Sequence, residues 1–385
     1  MKSSRAVTLF VQQKNQTDEE VALLQGELSL LLGNMGVTVG ASVVQRRDAP
    51  DPAYYIGQGK ALEAAAAAQA VGAKMVVCDD VLSPSQLFHL SQLTKLEVWD
   101  RARVIMRLFD ARAHSAEAKL QIDLARCRME LPSLKGLGQQ MSRPGGGIGT
   151  RGPGETEFER HRRKFHRRER DIMKRLDLVR QRRQGQRERR RRQGFFTVAL
   201  VGYTNSGKST LLRSLSKDPS IFVADKLFAT LDTALRPVFL PSGERVMVAD
   251  TVGFVRKLPH DLVAAFRATL EEVRESDLLL IVLDLTAQDI QGDLEVVQST
   301  LKDLGAGALP RIIVLNKEDL APPEARESLL RRWSEEGETV RAVSALRGTD
   351  LKSLCQAVDD VLFGGACAGK EVSGLSERMG VRHAD

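Results

Sequence analysis

The sequence predicts an α/β protein in three parts: a small N-terminal α/β domain, an antiparallel helical hairpin, and a second, larger α/β domain. Three observations predict it. Strand-like and helix-like segments alternate through the first 110 residues, a glycine-rich run interrupts a long basic helical stretch, and from Phe195 onward each buried-strand signal ends in a short polar motif. The expected boundaries are 1–110, 111–193 and 194–365, with 366–385 as a short tail.

In the first part Ala6 to Val11 reads as a strand and Glu19 to Leu32 as an amphipathic helix. Val37 to Val44 reads as a second strand. The alanine-rich run Ala61 to Ala70 is a strong helix former, and Gly57-Gln58-Gly59-Lys60 is the turn before it. Lys74 to Cys78 is a buried strand with Asp79 and Asp80 at its carboxyl end. Ser83 to Leu93 then reads as helix and Leu96 to Trp99 as a short strand. Strands separated by helices imply a small parallel sheet.

Val104 to about Glu130 lacks glycine and proline and reads as helix, with Pro132 as its interruption. A glycine-rich run from Gly145 to Gly154 follows. Thr156-Glu157-Phe158-Glu159 fits a capping box, from which a second helix should run to about Arg183, weakened at Gly185. Phe158, Phe165, Ile172 and Val179 recur every seven residues, a seam to pack against Leu120, Leu124 and Cys127.

The hairpin also holds the charge. Arg151 to Arg192 contains 18 Lys/Arg and 7 Asp/Glu, a net +11 in a chain whose total is +7, so the remainder is mildly acidic. Arg187 to Arg192 is nearly all arginine, although like charges at i and i+4 cost a helix a few tenths of a kcal/mol each. Keeping such repulsion points to a polyanion, RNA first and an acidic protein face second. Arg143, Gly146, Gly149, Arg151, Arg162 and Arg163, on the tip and the adjoining helix, are the candidate RNA contacts.

Phe195 to Val201 is a buried-strand run followed by Gly202-Tyr203-Thr204-Asn205-Ser206-Gly207-Lys208-Ser209-Thr210 and a helical pattern. Strand, GxxxxGKS and helix make a P-loop: amides face the phosphates, Lys208 reaches the β and γ oxygens, and the Ser209 hydroxyl holds Mg²⁺. Val246 to Ala249 ends in Asp250-Thr251-Val252-Gly253, where Asp250 can hold a Mg²⁺-bound water and the Gly253 amide can meet a γ-phosphate. Ile312 to Leu315 ends in Asn316-Lys317-Glu318-Asp319, and the Asp319 carboxylate can accept from guanine N1–H and N2–H₂, groups adenine lacks. Ser344-Ala345-Leu346 follows Val340 to Val343, where a backbone amide can meet guanine O6. P-loop, DxxG, NKxD and SA in this order are specific for a guanine-nucleotide switch binding GTP and GDP.

Between the first two motifs lies Phe228-Ala229-Thr230-Leu231-Asp232-Thr233. Thr230 is the expected switch I ligand of Mg²⁺, with Thr233 as the fallback. Lys208, Thr230 and Gly253 are the expected catalytic groups. Ras-like enzymes use a Gln after the DxxG glycine to orient the attacking water; here that residue is Phe254, so slow unassisted hydrolysis is expected.

The longest apolar runs, such as Leu278 to Val282, are strand-length, which excludes a membrane span, and the apolar stretch after the first residues is too short for a signal peptide. Cys78, Cys127, Cys355 and Cys367 form no CxxC pair, so zinc clusters and disulfide frameworks are not expected and a cytoplasmic location is.

Gly145-Gly146-Gly147-Ile148-Gly149-Thr150-Arg151-Gly152-Pro153-Gly154-Glu155-Thr156, with Lys119-Leu120-Gln121, Gly202-Tyr203-Thr204-Asn205 and Phe228-Ala229-Thr230-Leu231-Asp232, resembles the HflX family of translational GTPases over roughly residues 5 to 365. The resemblance implies an N-terminal HflX domain, a helical hairpin and a Ras-like P-loop GTPase domain. It also implies a Mg²⁺-dependent GTPase, expected as a monomer, that binds the large ribosomal subunit and its RNA and splits stalled ribosomes under stress. A subunit-assembly GTPase and a nucleotide-regulated RNA-binding scaffold remain the alternatives.

Overall fold

The computed structural model describes residues 4–141, 153–221, 227, 228, 231, 234–257, 259 and 267–364; the side chains of 130–141, 153–158 and 267–270 lie outside that description. The chain divides into two compact units. One comprises Met1–Glu188, Ala224–Asp232 and Val252–Glu271, the other Arg189–Val223, Thr233–Thr251 and Glu272–Asp385.

The first unit holds a four-stranded parallel sheet of β1 (Ser4–Gln12), β2 (Val37–Arg46), β3 (Met75–Cys78) and β4 (Glu97–Asp100), in the order β2-β1-β3-β4. Both faces are covered, which is why β1 and β3 read as continuous apolar runs. Ala6, Phe10 and Val77 pack against Leu24, Leu28, Leu31 and Leu32 of α1 (Asp18–Gly33). Val7, Leu9 and Val76 face Ala61, Ala64 and Ala68 of α2 (Gln58–Val71), a small-residue stripe that lets the helix approach closely. Burying each of those α1 leucines contributes about 1.5–3 kcal/mol. Capping boxes at Thr17/Glu20 and Ser83/Gln86 start α1 and α3 (Pro84–Thr94), reciprocally satisfying free amides. Gly57 is the N-cap of α2, so Gln58 to Lys60 form its first turn, not a separate turn before it.

Two helical expectations shift. The break falls at residues 113–115, between α4 (Arg101–Arg112) and α5 (Ala116–Met141), and α5 continues through Pro132. Its cause is a cap: the Ser115 hydroxyl accepts from the Ala118 amide at 3.0 Å. The helix α6 starts at Pro153, three residues before Thr156, using the φ that proline pre-sets, and runs past Gly185 to Arg192. A Cβ at Gly185 would meet nothing, so that glycine costs helix propensity without forcing an end. The hairpin seam forms from Leu124 and Cys127 against Ile172 and Leu176, flanked by Leu120 and Phe165. Val179 is only partly buried, and the Phe158 side chain lies outside the described residues.

In the second unit β5 (Thr197–Gly202), β6 (Ala234–Phe239), β7 (Arg245–Asp250), β8 (Leu278–Asp284), β9 (Arg311–Asn316) and β10 (Val340–Ala342) form one sheet, ordered β10-β9-β8-β5-β7-β6. All neighbours are parallel except β6, which runs antiparallel to β7 at the edge. Its helices are α7 (Lys208–Ser216), α9 (Ile290–Asp303), α10 (Pro323–Glu335) and α11 (Leu351–Phe363), while α8 (Arg267–Arg274) has residues 267–271 in the first unit and 272–274 in the second. Val198, Leu200, Leu280, Val282, Ile312 and Val314 make the centre of its core with Leu211, Leu212 and Leu354. Strand order reverses around β5, where open parallel sheets bind ligands at the carboxyl ends of their strands.

Candidate functional site

The loop between β5 and α7 lies at that reversal. β5 is buried throughout and ends at Gly202, whose φ is 153°; a Cβ there would collide with the Val282 carbonyl oxygen. Gly207 has φ 91°, and a Cβ would collide with Asn316 Nδ2. Both positions therefore demand glycine for left-handed backbone and for close approach of β8 and β9. Lys208 is 6% exposed and its Nζ donates to the carbonyls of Gly202 at 3.1 Å and Tyr203 at 2.7 Å. Burial pushes this ammonium down to about 8, against the opposing charge of Asp250.

The Ser209 hydroxyl donates to Asp250 Oδ2 at 2.6 Å, joining the first turn of α7 to the end of β7. A hydroxyl and a buried carboxylate in contact, beside a lysine, are the hard oxygen donors Mg²⁺ takes, so these residues fit the ion. Thr251, grouped with Asp250 from sequence, instead donates its hydroxyl to the Leu200 carbonyl at 2.6 Å and ties β7 to β5.

At the other end of the loop Asn316, 2% exposed, makes two bonds. Its Nδ2 donates to Ser206 O at 2.8 Å and its Oδ1 accepts from the Ala345 amide at 3.0 Å. The Asp319 carboxylate accepts from Ser344 Oγ at 2.7 Å and pairs with Arg347 at 3.3 Å. P-loop, NKxD and SA segments thus meet through named bonds, while Leu346 stands 81% exposed beside them.

Of the expected switch residues, Phe228 and Leu231 belong to the first unit and are 3% and 2% exposed. They lie in one cluster with Phe109, Val252 and Val255, and the Phe109 and Phe228 rings meet at 4.5 Å. Ala229, Thr230, Asp232 and Thr233 lie outside the described residues, as do the tip positions Arg143, Gly146, Gly149 and Arg151. Phe254 is 1% exposed, so its ring is core and not a water-orienting group.

Arg162 and Arg163 are exposed on α6. The run before β5 is less free than its composition suggests. Arg183 pairs with Glu117 at 2.7 Å, Arg190 with Glu272 at 3.5 Å and Arg191 with Glu275 at 3.1 Å, so part of the basic charge is neutralised within the fold.

Family models match consecutive stretches of the chain: "GTP-binding GTPase N-terminal" over residues 24–110, "GTP-binding GTPase Middle Region" over 112–190, and "50S ribosome-binding GTPase" over 197–317. The GTPase HflX of Escherichia coli (strain K12) is 39% identical over 355 residues, covering 92% of this chain and 81% of that protein. The chain belongs to the HflX family of GTPases. The GTPase HflX of Caldanaerobacter subterraneus subsp. tengcongensis is 46% identical over 293 residues, 75% of this chain and 68% of that protein. A crystal structure of SsGBP with GDP shares the fold, with TM-score 0.50 and 24% identity over 93% of this chain and 98% of that one. This HflX-family chain is an enzyme that hydrolyses GTP, and among its described residues no helix is long and apolar enough to cross a membrane.

The first unit of this chain also contains a charged cluster that the motifs do not announce. Arg101, fully buried, pairs with Asp79 at 2.6 Å and Glu27 at 2.8 Å, and its Nε and Nη2 donate to the Arg256 carbonyl. Lys257 Nζ reaches Asp79 at 2.7 Å and Asp80 at 2.6 Å, and Asp80 accepts from the Tyr55 hydroxyl. Burial raises the Asp79 carboxyl against the pull of Arg101 and Lys257. Two acids at the end of a buried strand were the visible signal; nothing marked Arg101 as interior.

Proposed function

We propose that this chain is a Mg²⁺- and GTP-dependent factor that binds the large ribosomal subunit through its basic hairpin and separates the subunits of stalled ribosomes. Gly202 to Thr210 would cradle the phosphates, and Lys208 would exchange its two carbonyl partners for β and γ oxygens. Ser209 and Thr230 would ligate Mg²⁺, with Asp250 acting through a water. A bound Mg²⁺ would supply neutralisation of phosphate charge. The Gly253 amide would engage the γ-phosphate, and Asn316, Lys317, Asp319, Ser344, Ala345 and Leu346 would hold guanine.

The observation that carries this reading is the bond set joining Ser206, Asn316 and Ala345. It links the loop after β5 to Asn316 and Ala345, which supports reading these segments as one phosphate- and base-binding site. The family description of ribosome binding supports the partner. The exposed arginines of α6 support RNA as its contact, with Arg162, Arg163 and the tip residues Arg143, Gly146, Gly149 and Arg151 as the reach. The domain division proposed is the one stated from sequence, 1–110, 111–193 and 194–365. The site of action is the cytoplasm, with the chain acting as a monomer.

Sedimentation of intact ribosomes with the protein and a non-hydrolysable GTP analogue tests this. Free subunits are expected. Co-migration with one subunit and no loss of intact ribosomes would favour an assembly factor. Binding of naked RNA indifferent to nucleotide would favour a scaffold.

A further inference from the structure

Asp284, the last residue of β8, lies outside every nucleotide-binding motif of the chain. It is the register partner of Asn316 in the parallel β8/β9 pair, and the next residue, Leu285, donates its amide to the Asn316 carbonyl at 3.0 Å. Its carboxylate is engaged on both oxygens. Oδ1 accepts from the Thr286 amide at 2.9 Å and the Thr286 hydroxyl at 2.7 Å, and Oδ2 pairs with Lys317 Nζ at 2.6 Å. The pair is sheltered, with the two side chains 26% and 20% exposed.

Lys317 is an unusual residue to hold. Its φ is 64°, left-handed backbone that an L side chain other than Asn or Asp adopts at a cost. That turn separates Asn316, which faces the P-loop and Ala345, from Asp319, which faces Ser344. A flexible lysine in an unfavourable backbone state is a weak point between two groups that must hold their positions. The Asp284 carboxylate, itself fixed by Thr286, supplies the counter-charge that keeps it in place.

We propose that Asp284 is a positioning residue of the nucleotide site: by anchoring Lys317 it fixes the Asn316–Asp319 segment in its binding geometry before nucleotide arrives. This rests on the reading of that segment as the guanine pocket. Pre-organisation of this kind raises affinity without touching ligand and acts equally on ligands that share the base. Asp284 therefore stabilises GDP and GTP complexes alike and leaves the chemical step alone.

The test compares three variants of the full chain by fluorescent-nucleotide dissociation and steady-state hydrolysis. Asp284→Asn keeps the acceptor for Thr286 but removes the charge for Lys317. It is expected to speed GDP and GTP-analogue release about tenfold and raise KM similarly, with kcat at saturation within twofold and the guanine-over-xanthine preference intact. Lys317→Met, which also removes one of the groups proposed to hold guanine, is expected to release at least as fast, and the double variant no faster than Lys317→Met alone. Asp319→Asn, measured alongside, reads the pocket itself through base preference. If Asp319→Asn leaves base preference unchanged, the guanine-pocket reading fails. If Asp319→Asn shifts preference while Asp284→Asn leaves release unchanged, alters kcat instead, or adds fully to Lys317→Met, the positioning role is refuted on its own.

Discussion

Asp79→Ala should be among the most destabilising single changes in the first unit. The Asp79 side chain is 1% exposed and lies against a guanidinium of equal burial, Arg101, and against Lys257, which is 33% exposed. Removing one partner of a buried ion pair typically costs 3–5 kcal/mol, because the remaining charge is left in low dielectric. Arg101 would retain Glu27 at 2.8 Å and the Arg256 carbonyl, which argues for the lower end, about 3 kcal/mol. For a unit of this size that is a fall in Tm of about 6–12 °C. Lys257→Met is the matched control. It leaves Asp79 paired with Arg101 and removes an ammonium that water can already reach, so a loss near 1 kcal/mol is expected. Calorimetric unfolding of the nucleotide-free variants measures both. If Asp79→Ala unfolded no earlier than Lys257→Met, the cluster would not be holding the Arg256–Lys257 segment through its buried charges.

Asp319→Asn places an amide donor where guanine presents its own donors, so GTP affinity should fall by about 10²–10⁴, the loss of two charge-assisted bonds, and xanthosine triphosphate should be preferred; competition binding reads this directly. Lys208, depressed to about 8 by burial, is charged in the free protein only below that pH. Nucleotide affinity should therefore fall as pH rises above 8, with proton uptake on binding detectable by calorimetry in buffers of different ionisation heat. The same shift means the unfolded chain holds the Lys208 proton longer, so this residue raises the stability of the nucleotide-free protein as pH climbs from about 8 to 10.5, and a flat affinity profile would refute the assignment. Shortening 145–154 should leave GTP affinity unchanged and abolish ribosome splitting, and retained splitting in the sedimentation assay would make the tip a connector.

The parallel sheets were legible because buried strands such as Met75–Cys78 and Leu278–Asp284 are unbroken apolar runs, and because each nucleotide motif announces the strand before it. β6 was not. It contains Pro237 and alternates poorly, which only an edge position tolerates, and its pairing partner supplies the stabilisation that its own sequence lacks. Helix ends were misread where the local signal competed with a distant one: Pro132 looked terminal although α5 continues through it, and a short Ser115 cap went unnoticed. Site residues that act through backbone geometry or direct side-chain chemistry, such as Gly207 and Asn316, carry spacing rules. Asp284 and Arg101 carry none, because what defines them is a partner 33 or 155 residues away along the chain.

The proposed function requires that the triphosphate change how the hairpin engages ribosomal RNA. The most direct test is the equilibrium affinity of the full chain for isolated large subunits, measured at one salt concentration with GDP, with a non-hydrolysable GTP analogue and without nucleotide. Binding at least about thirtyfold tighter with the analogue than with GDP, about 2 kcal/mol of coupling, is the predicted result. Equal affinity in the three states would contradict it.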